Sequence, residues 1–313
     1  MFRFLSTDIP APLRLRRWLI ARRWCFFILL SLGVLAFLFW GISSHNLFLR
    51  ISVWLVFAFW LVTLLQVVYC KFFPPVVTPL MIRRFFQNRG ASDSVPLRDG
   101  YRFVPLESIS PLLVSAVDCS ENYKLFAYCR GFLFKGLCEA YLSNQHDGAK
   151  RGGSCISQQT AKNCFLPHSR TLLRKLIEAY YVVLIDLFWG KRRIMEVYLN
   201  IIEFGPGIYG CEAASQHYFH HSAASLSEHE AVLLAATLPW PLRANPDHHK
   251  PYFDSRVSHI YRYKQEYTPI NWDASLADLD PQCIEEGNRG LLFFIKWLLL
   301  KKLKHLKQVL LHG

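Results

Sequence analysis

Two apolar runs near the N-terminus constrain this chain more than any other feature. Trp24 to Ile42 and Ile51 to Tyr69 are almost wholly apolar. Each is about as long as the ~20 residues that cross a hydrocarbon core as a helix. Ser43-Ser44-His45-Asn46 separates them, and Trp24 and Trp40 stand near the ends of the first, where amphipathic rings favour the membrane interface. A cleaved signal peptide fits poorly, because the apolar region is too long and no small-residue cleavage site follows. The chain therefore divides into a basic tail at 1–23, a membrane anchor with two apolar segments at 24–70, a compact domain at 71–265 and an extension at 266–313. The domain is long enough to bury a core of its own.

The formal charge of +13 favours anionic partners. Beside apolar spans, anionic lipid and pyrophosphate fit that charge better than nucleic acid. The nine cysteines form no Cys-x-x-Cys pair and no metal spacing with histidine. They read as small buried hydrophobes, and His220-His221 and His248-His249 as surface pairs; no metal site is expected.

Within the domain, Gly152-Gly153-Ser154-Cys155-Ile156-Ser157-Gln158-Gln159-Thr160-Ala161-Lys162-Asn163 opens on a glycine pair and then contains no helix breaker. Glycines permit a tight turn, and a helix starting behind them points unpaired N–H groups at an anion. Ser154, Gln158 and Lys162 recur at i, i+4 and i+8, which predicts one shared helix face suited to a phosphorylated, hydroxyl-rich ligand. Leu172 to Phe188, Arg192 to Ile202 and Leu226 to Leu238 carry apolar periodicity without interior Gly or Pro and predict helices. Ser225 or Ser227 is the expected cap of the last, and Pro239 its stop. Strand signals are weak. Gln145 to Gly153 reads as a loop.

Further motifs follow in order. Ala116-Val117-Asp118-Cys119-Ser120-Glu121 leads to Phe126 and Gly131-Phe132. Arg170-Thr171-Leu172-Leu173-Arg174-Lys175-Leu176-Ile177-Glu178 comes next, then Lys191-Arg192-Arg193-Ile194-Met195-Glu196-Val197-Tyr198-Leu199-Asn200 and Glu203-Phe204-Gly205. In this order and spacing the chain resembles glycosyltransferase family 51, the peptidoglycan glycosyltransferases, and most of all its monofunctional biosynthetic type. The resemblance runs from about Pro75 to about Asp247. It implies a mainly α, lysozyme-like domain of two lobes behind N-terminal transmembrane helices. It also implies polymerisation of lipid II into β-1,4-linked glycan strands with release of undecaprenyl pyrophosphate, by an inverting transfer at the outer face of the bacterial cytoplasmic membrane. Its partners would be lipid II, the growing glycan chain, the bilayer, and cell-wall synthesis or division proteins.

Residue by residue, the resemblance makes Glu121 the general base and Glu178 a second catalytic carboxylate or the structural i, i+4 partner of Arg174. Ser154, Gln158, Lys162, Arg170, Arg174, Lys175 and Lys191 would bind substrate, with Lys162 and Arg170 on pyrophosphate oxygens. Glu196, Tyr198 and Asn200 would brace the site, and Glu203-Phe204-Gly205 and Gly207-Ile208-Tyr209-Gly210 would be turns. No organic cofactor is implied; a divalent cation such as Mg or Mn is compatible with a pyrophosphate leaving group. The chain departs from the family pattern at Asn122, where aspartate is usual, at Cys129, where histidine is usual, and at Cys155, where threonine is usual. Four residues separate Glu121 from Phe126 where the pattern has three. A precursor-binding relative with weakened catalysis and a lysozyme-like hydrolase are the alternative functions.

Two readings stay open here. Arg14, Arg16, Arg17, Arg22 and Arg23 argue for a cytoplasmic N-terminus. Two full crossings would then return the domain to the cytoplasm, whereas the resemblance needs it outside. Gly290 to Gly313 places Lys296, Lys301, Lys302, Lys304 and Lys307 among leucines, the composition of a cationic interfacial helix or of a helix packed on the domain.

Overall fold

The computed structural model describes residues 46–87, 96–121, 154–167, 169, 171–248, 250–265, 267, 270 and 272. The first apolar run, the loop at 145–153, Arg170 and the basic C-terminal stretch lie outside the described residues. Two compact units divide the chain at Cys70/Lys71. In the first, the second apolar run forms helix α1, Leu47–Phe72. Its 26 residues span about 39 Å at ~1.5 Å per residue, more than the ~30 Å of a bilayer core. Leu47, Phe48, Ile51, Trp54 and Leu55 are exposed along it, and Arg50 and Lys71 stand near its ends. It is the one helix among the described residues long and apolar enough to cross a membrane.

The second unit is mainly helical. Its elements are α2 (Pro79–Gln87), α3 (Leu97–Gly100), α4 (Pro111–Glu121), α5 (Ile156–Phe165), α6 (Leu172–Phe188), α7 (Lys191–Ile201), β1 (Glu203–Gly205), β2 (Ile208–Tyr209), α8 (Cys211–Phe219), α9 (Glu228–Thr237) and α10 (Pro251–Lys264). The periodic segments thus fold as predicted, α6 over the expected span and α7 one residue early. Their ends have local causes. Thr171 Oγ1 accepts the Arg174 N–H and starts α6. Ser227 and Glu230 form a capping box that starts α9, which ends before Pro239. Pro251 occupies the first turn of α10, where its missing N–H costs nothing.

The segment from Glu203 to Gly210, expected as turns alone, also pairs as a small antiparallel hairpin of β1 and β2. Its glycines explain the shape: Gly207 and Gly210 have φ of 80° and 81°, which side chains rarely adopt.

Packing sorts the helices into two groups. α4, α9 and α10 pack on one another, while α5 packs on both α6 and α7. The C-terminal half of α7 is buried on every side, with Met195, Tyr198, Leu199 and Ile201 almost inaccessible. α7 is amphipathic, with Lys191, Arg192 and Arg193 at its start, and it is the C-terminal half that enters the core. The described cysteines 70, 119, 155, 164 and 211 are free and buried. Burial pushes the thiols of Cys119 and Cys211 up to about 12, which keeps them protonated and inert.

Candidate active site

Glu121 is the last residue of α4, and its side chain is 14% exposed, so it is held by neighbours yet open to a ligand. Gln159 Nε2, on α5, donates to Glu121 Oε2 at 2.6 Å. Arg256 Nη2, on α10, lies 3.4 Å from Glu121 Oε1 and donates to Ser120 Oγ at 2.5 Å and Ser120 O at 3.3 Å. Ser120 Oγ is 3.2 Å from Ala235 O and 3.3 Å from Glu121 Oε1; its single proton serves one of them at a time. The carboxylate is therefore fixed from three helices.

Gln159 is itself oriented. Tyr198 Oη donates to Gln159 Oε1 at 3.3 Å, which leaves the amide nitrogen facing the carboxylate and Ser154 O, at 3.2 Å. Burial, together with the nearby Glu121 charge, holds the Tyr198 hydroxyl well above the usual tyrosine range, so it stays a donor.

A cationic cluster begins at Ser154. Lys175 Nζ donates to Ser154 Oγ at 3.2 Å and pairs with Glu178, while Arg174 Nη1 meets Glu178 Oε2 at 2.5 Å. Glu178 is buried, and one carboxylate thus faces two cations. Lys162, one turn beyond Gln158 on α5, joins them electrostatically. Burial pushes its ammonium down; Glu178 pulls it back up, Arg174 and Lys175 push it further down, and Glu121 pulls it up. Three cations against one buried carboxylate leave a positive surplus, and an arriving anion would favour charged Lys162.

The shared helix face expected for Ser154, Gln158 and Lys162 does not form. Cys155 caps α5, so Ser154 precedes the helix. Gln158 is buried and folds back, its Oε1 accepting the Cys155 N–H at 3.0 Å. In this structure Gln158 thus helps to start α5. Lys191 opens α7, and the charge it answers to is buried Asp118, one turn before Glu121.

Glu196 and Asn200 bond to the chain ahead of α4. Glu196 Oε1 accepts the Leu106 N–H at 3.0 Å. Asn200 bonds both ways with Val104, accepting its N–H at 2.8 Å and donating to its carbonyl at 2.9 Å. Both fix the segment that leads into α4.

Sequence reasoning missed Gln159 and Arg256. For Gln159 a signal existed: if Cys155-x-x-Gln158 is read as a capping box, Gln158 is spent and its neighbour becomes the free amide. For Arg256 there was none, since it lies beyond the span of the resemblance. Among the described residues, no group of three or more His, Cys, Asp or Glu is placed to hold a metal.

A partly exposed carboxylate, Glu121, beside a surplus of cations suits a reaction in which a proton is accepted while negative charge departs. Comparison with known proteins points the same way. The family described as Transglycosylase matches residues 95–264. The biosynthetic peptidoglycan transglycosylase of Caulobacter vibrioides is 49% identical over 177 residues, 56% of this chain and 73% of that protein. The proteins of the same name from Bdellovibrio bacteriovorus and Shewanella oneidensis are 43% and 41% identical, over 66% and 69% of this chain and 82% and 92% of theirs. With its mainly helical, lysozyme-like catalytic domain, the chain belongs to the transglycosylase family.

Proposed function

We propose that this protein is a peptidoglycan glycosyltransferase that polymerises lipid II into β-1,4-linked glycan strands. The 4-hydroxyl oxygen of an incoming N-acetylglucosamine attacks C1 of the N-acetylmuramic acid ending the growing chain. The new O–C1 bond forms as the bond from C1 to the pyrophosphate oxygen breaks. Attack on the face opposite the α-linked leaving group inverts the configuration. The hydroxyl proton passes to Glu121, and the electron pair leaves with undecaprenyl pyrophosphate. A positioned base contributes about 10²–10⁴-fold to such a step.

The observation that carries this function is Ser154, whose carbonyl meets Gln159 on the Glu121 side and whose hydroxyl meets Lys175 on the cationic side. Base and anion site are thereby one residue apart. Lys162, Arg174 and Lys175 hold the diphosphate, Lys as a point charge and Arg as a fork of donors; by the family resemblance alone Arg170 and Lys191 would join them. Should a divalent cation take part, it arrives with the diphosphate, and chelation of the assay mixture measures its share.

Hydrolysis by a lysozyme-like route is disfavoured by Glu178. A glycosidase needs a carboxyl free to give a proton to its alkoxide leaving group, and both Glu178 oxygens are engaged by Arg174 and Lys175. α1 supports membrane association; we place the chain at the bacterial cytoplasmic membrane with its catalytic domain facing outward, where lipid II is polymerised.

The test uses purified full-length protein with fluorescent lipid II. Polymer made by the wild type and lost in Glu121→Gln is the expected result. Lipid II binding without polymer in the wild type would instead establish a precursor-binding relative.

A further inference from the structure

Trp240 and Tyr252 form an exposed aromatic pair outside the machinery described above. Their ring centroids are 4.7 Å apart with planes tilted by 35°. Trp240 is 50% and Tyr252 43% exposed. The pair is held rigidly. Trp240 N donates to Thr237 O at 3.1 Å, and Trp240 O accepts from the N–H groups of Arg243 and Ala244 at 2.9 and 3.0 Å. Tyr252 lies in the first turn of α10, which buried Phe253 anchors. Among the described residues, neither the indole N–H nor the Tyr252 hydroxyl has a hydrogen-bond partner, so both polar tips are available.

Position gives the pair its meaning. Tyr252 and Arg256 stand at i and i+4 and share one face of α10. Helical side chains lean toward the N-terminus, so the Arg256 head lies over the turn that carries Tyr252. That head contacts Ser120 and Glu121. Trp240 follows the α9 turn whose Ala235 carbonyl lies against Ser120 Oγ. Tyr252 thus shares α10 with Arg256, which reaches Glu121, and Trp240 follows α9, whose Ala235 meets Ser120.

We propose that Trp240 and Tyr252 form a stacking platform for a β-1,4-linked amino-sugar chain, seating a hexosamine ring next to the one that reacts. The C–H face of a pyranose meets the electron-rich face of an aromatic ring, and its equatorial hydroxyls reach the indole N–H and the phenol. The surroundings favour sugar over bilayer: in the same stretch of chain Arg243, Asp247, His248 and Lys250 are exposed, and these polar groups outnumber exposed Pro239 and Leu242. The platform deepens the transferase function proposed above and rests on it for the identity of the sugar.

The experiment measures binding of soluble chitotetraose to the full-length protein in detergent micelles, by saturation-transfer NMR and calorimetry. The wild type should bind, and Trp240→Ala and Tyr252→Ala should each bind about tenfold more weakly. Trp240→Phe should retain most of the affinity. Trp240→Leu, which keeps apolar bulk without the π face, repeats the test if the alanine variant fails to fold. Unchanged affinity in Trp240→Leu, or no binding by the wild type, overturns the platform. So does an intact sugar affinity accompanied by weaker partition into phosphatidylcholine vesicles, which would assign the pair to the membrane. Glu121→Gln should bind chitotetraose normally while making no polymer. If that variant still polymerises, the proposed base is wrong and the platform stands.

Discussion

Gln159 Nε2 donates to Glu121 Oε2 at 2.6 Å, joining α5 of one helical group to α4 of the other. The contact lies between groups that pack on different partners, so it sets where the carboxylate sits relative to the cations on α5 and α6. Tyr198 orients the amide from behind. Gln159→Ala should lower kcat about 10–100-fold, in line with the roughly 10²-fold cost of a misplacement near 1 Å. Tyr198→Phe, which removes only the orienting hydroxyl, should lower kcat about 3–10-fold and leave KM for lipid II unchanged, since one neutral hydrogen bond contributes ~1 kcal/mol. Steady-state kinetics check both; a Tyr198→Phe effect on KM alone would make the contact a binding feature instead.

Glu178 is tested through stability. Its carboxylate is buried while Arg174 keeps 16% and Lys175 33% of its side-chain surface. Glu178→Gln leaves two cations facing each other without their counter-charge. The cost should be about 2–3 kcal/mol, less than the ~3–5 kcal/mol of a fully buried pair because Lys175 is partly solvated. Urea unfolding of the purified protein measures it. A variant with wild-type stability and no turnover would move Glu178 from organising the cations to acting directly on substrate.

What the sequence made legible follows from the range of each signal. α6 could be read from one segment, because its apolar periodicity is local. The Ser227 cap and the Pro239 stop were local too. The roles of Glu196 and Asn200 as braces came from resemblance, and the partners they hold, Leu106 and Val104, are about ninety residues away and carry no sequence mark. The shared face of Ser154, Gln158 and Lys162 extends a period of 3.6 one turn too far back: Ser154 is outside the helix, and Gln158 bonds the N–H of the cap at Cys155. Arg256 reaches Glu121 across 135 positions, a contact that only tertiary packing creates.

Asp118 predicts a pH dependence of stability. Burial pushes its carboxyl up to about 7 from an ordinary 3.8, against the pull of Lys191 and a hydrogen bond with Tyr267. Between these values the folded chain holds a proton that the unfolded chain has released. Stability therefore falls as pH rises from about 4 to about 7, and the full loss is present above it. At ~1.4 kcal/mol per pH unit the effect is on the order of 4 kcal/mol. Asp118→Asn, neutral at every pH, should match the wild type near pH 4 and exceed it at pH 8. Thermal unfolding across that range is the check; a difference between the two proteins that does not change with pH refutes the assignment.

Gly210 couples the hairpin to the brace. Its φ is +81° with ψ of 156°, a region open to glycine and strained for other residues. A Cβ there would stand 2.4 Å from the backbone oxygen of Asn200. Backbone cannot rotate aside as a flexible side chain would, so Gly210→Ala must displace the end of α7. Asn200 in turn holds Val104, and Glu196 one turn earlier holds Leu106, so the displacement travels into the segment that leads to α4 and Glu121. Strain and overpacking together should cost about 3 kcal/mol or more, with turnover falling alongside. Gly190→Ala is the internal control. Gly190 has φ of −78° and open space around its missing Cβ, so the substitution should cost less than about 1 kcal/mol, the usual scale for losing a favoured N-cap residue. Comparable losses in both variants would show that the close approach of Gly210 to Asn200 does not organise the site.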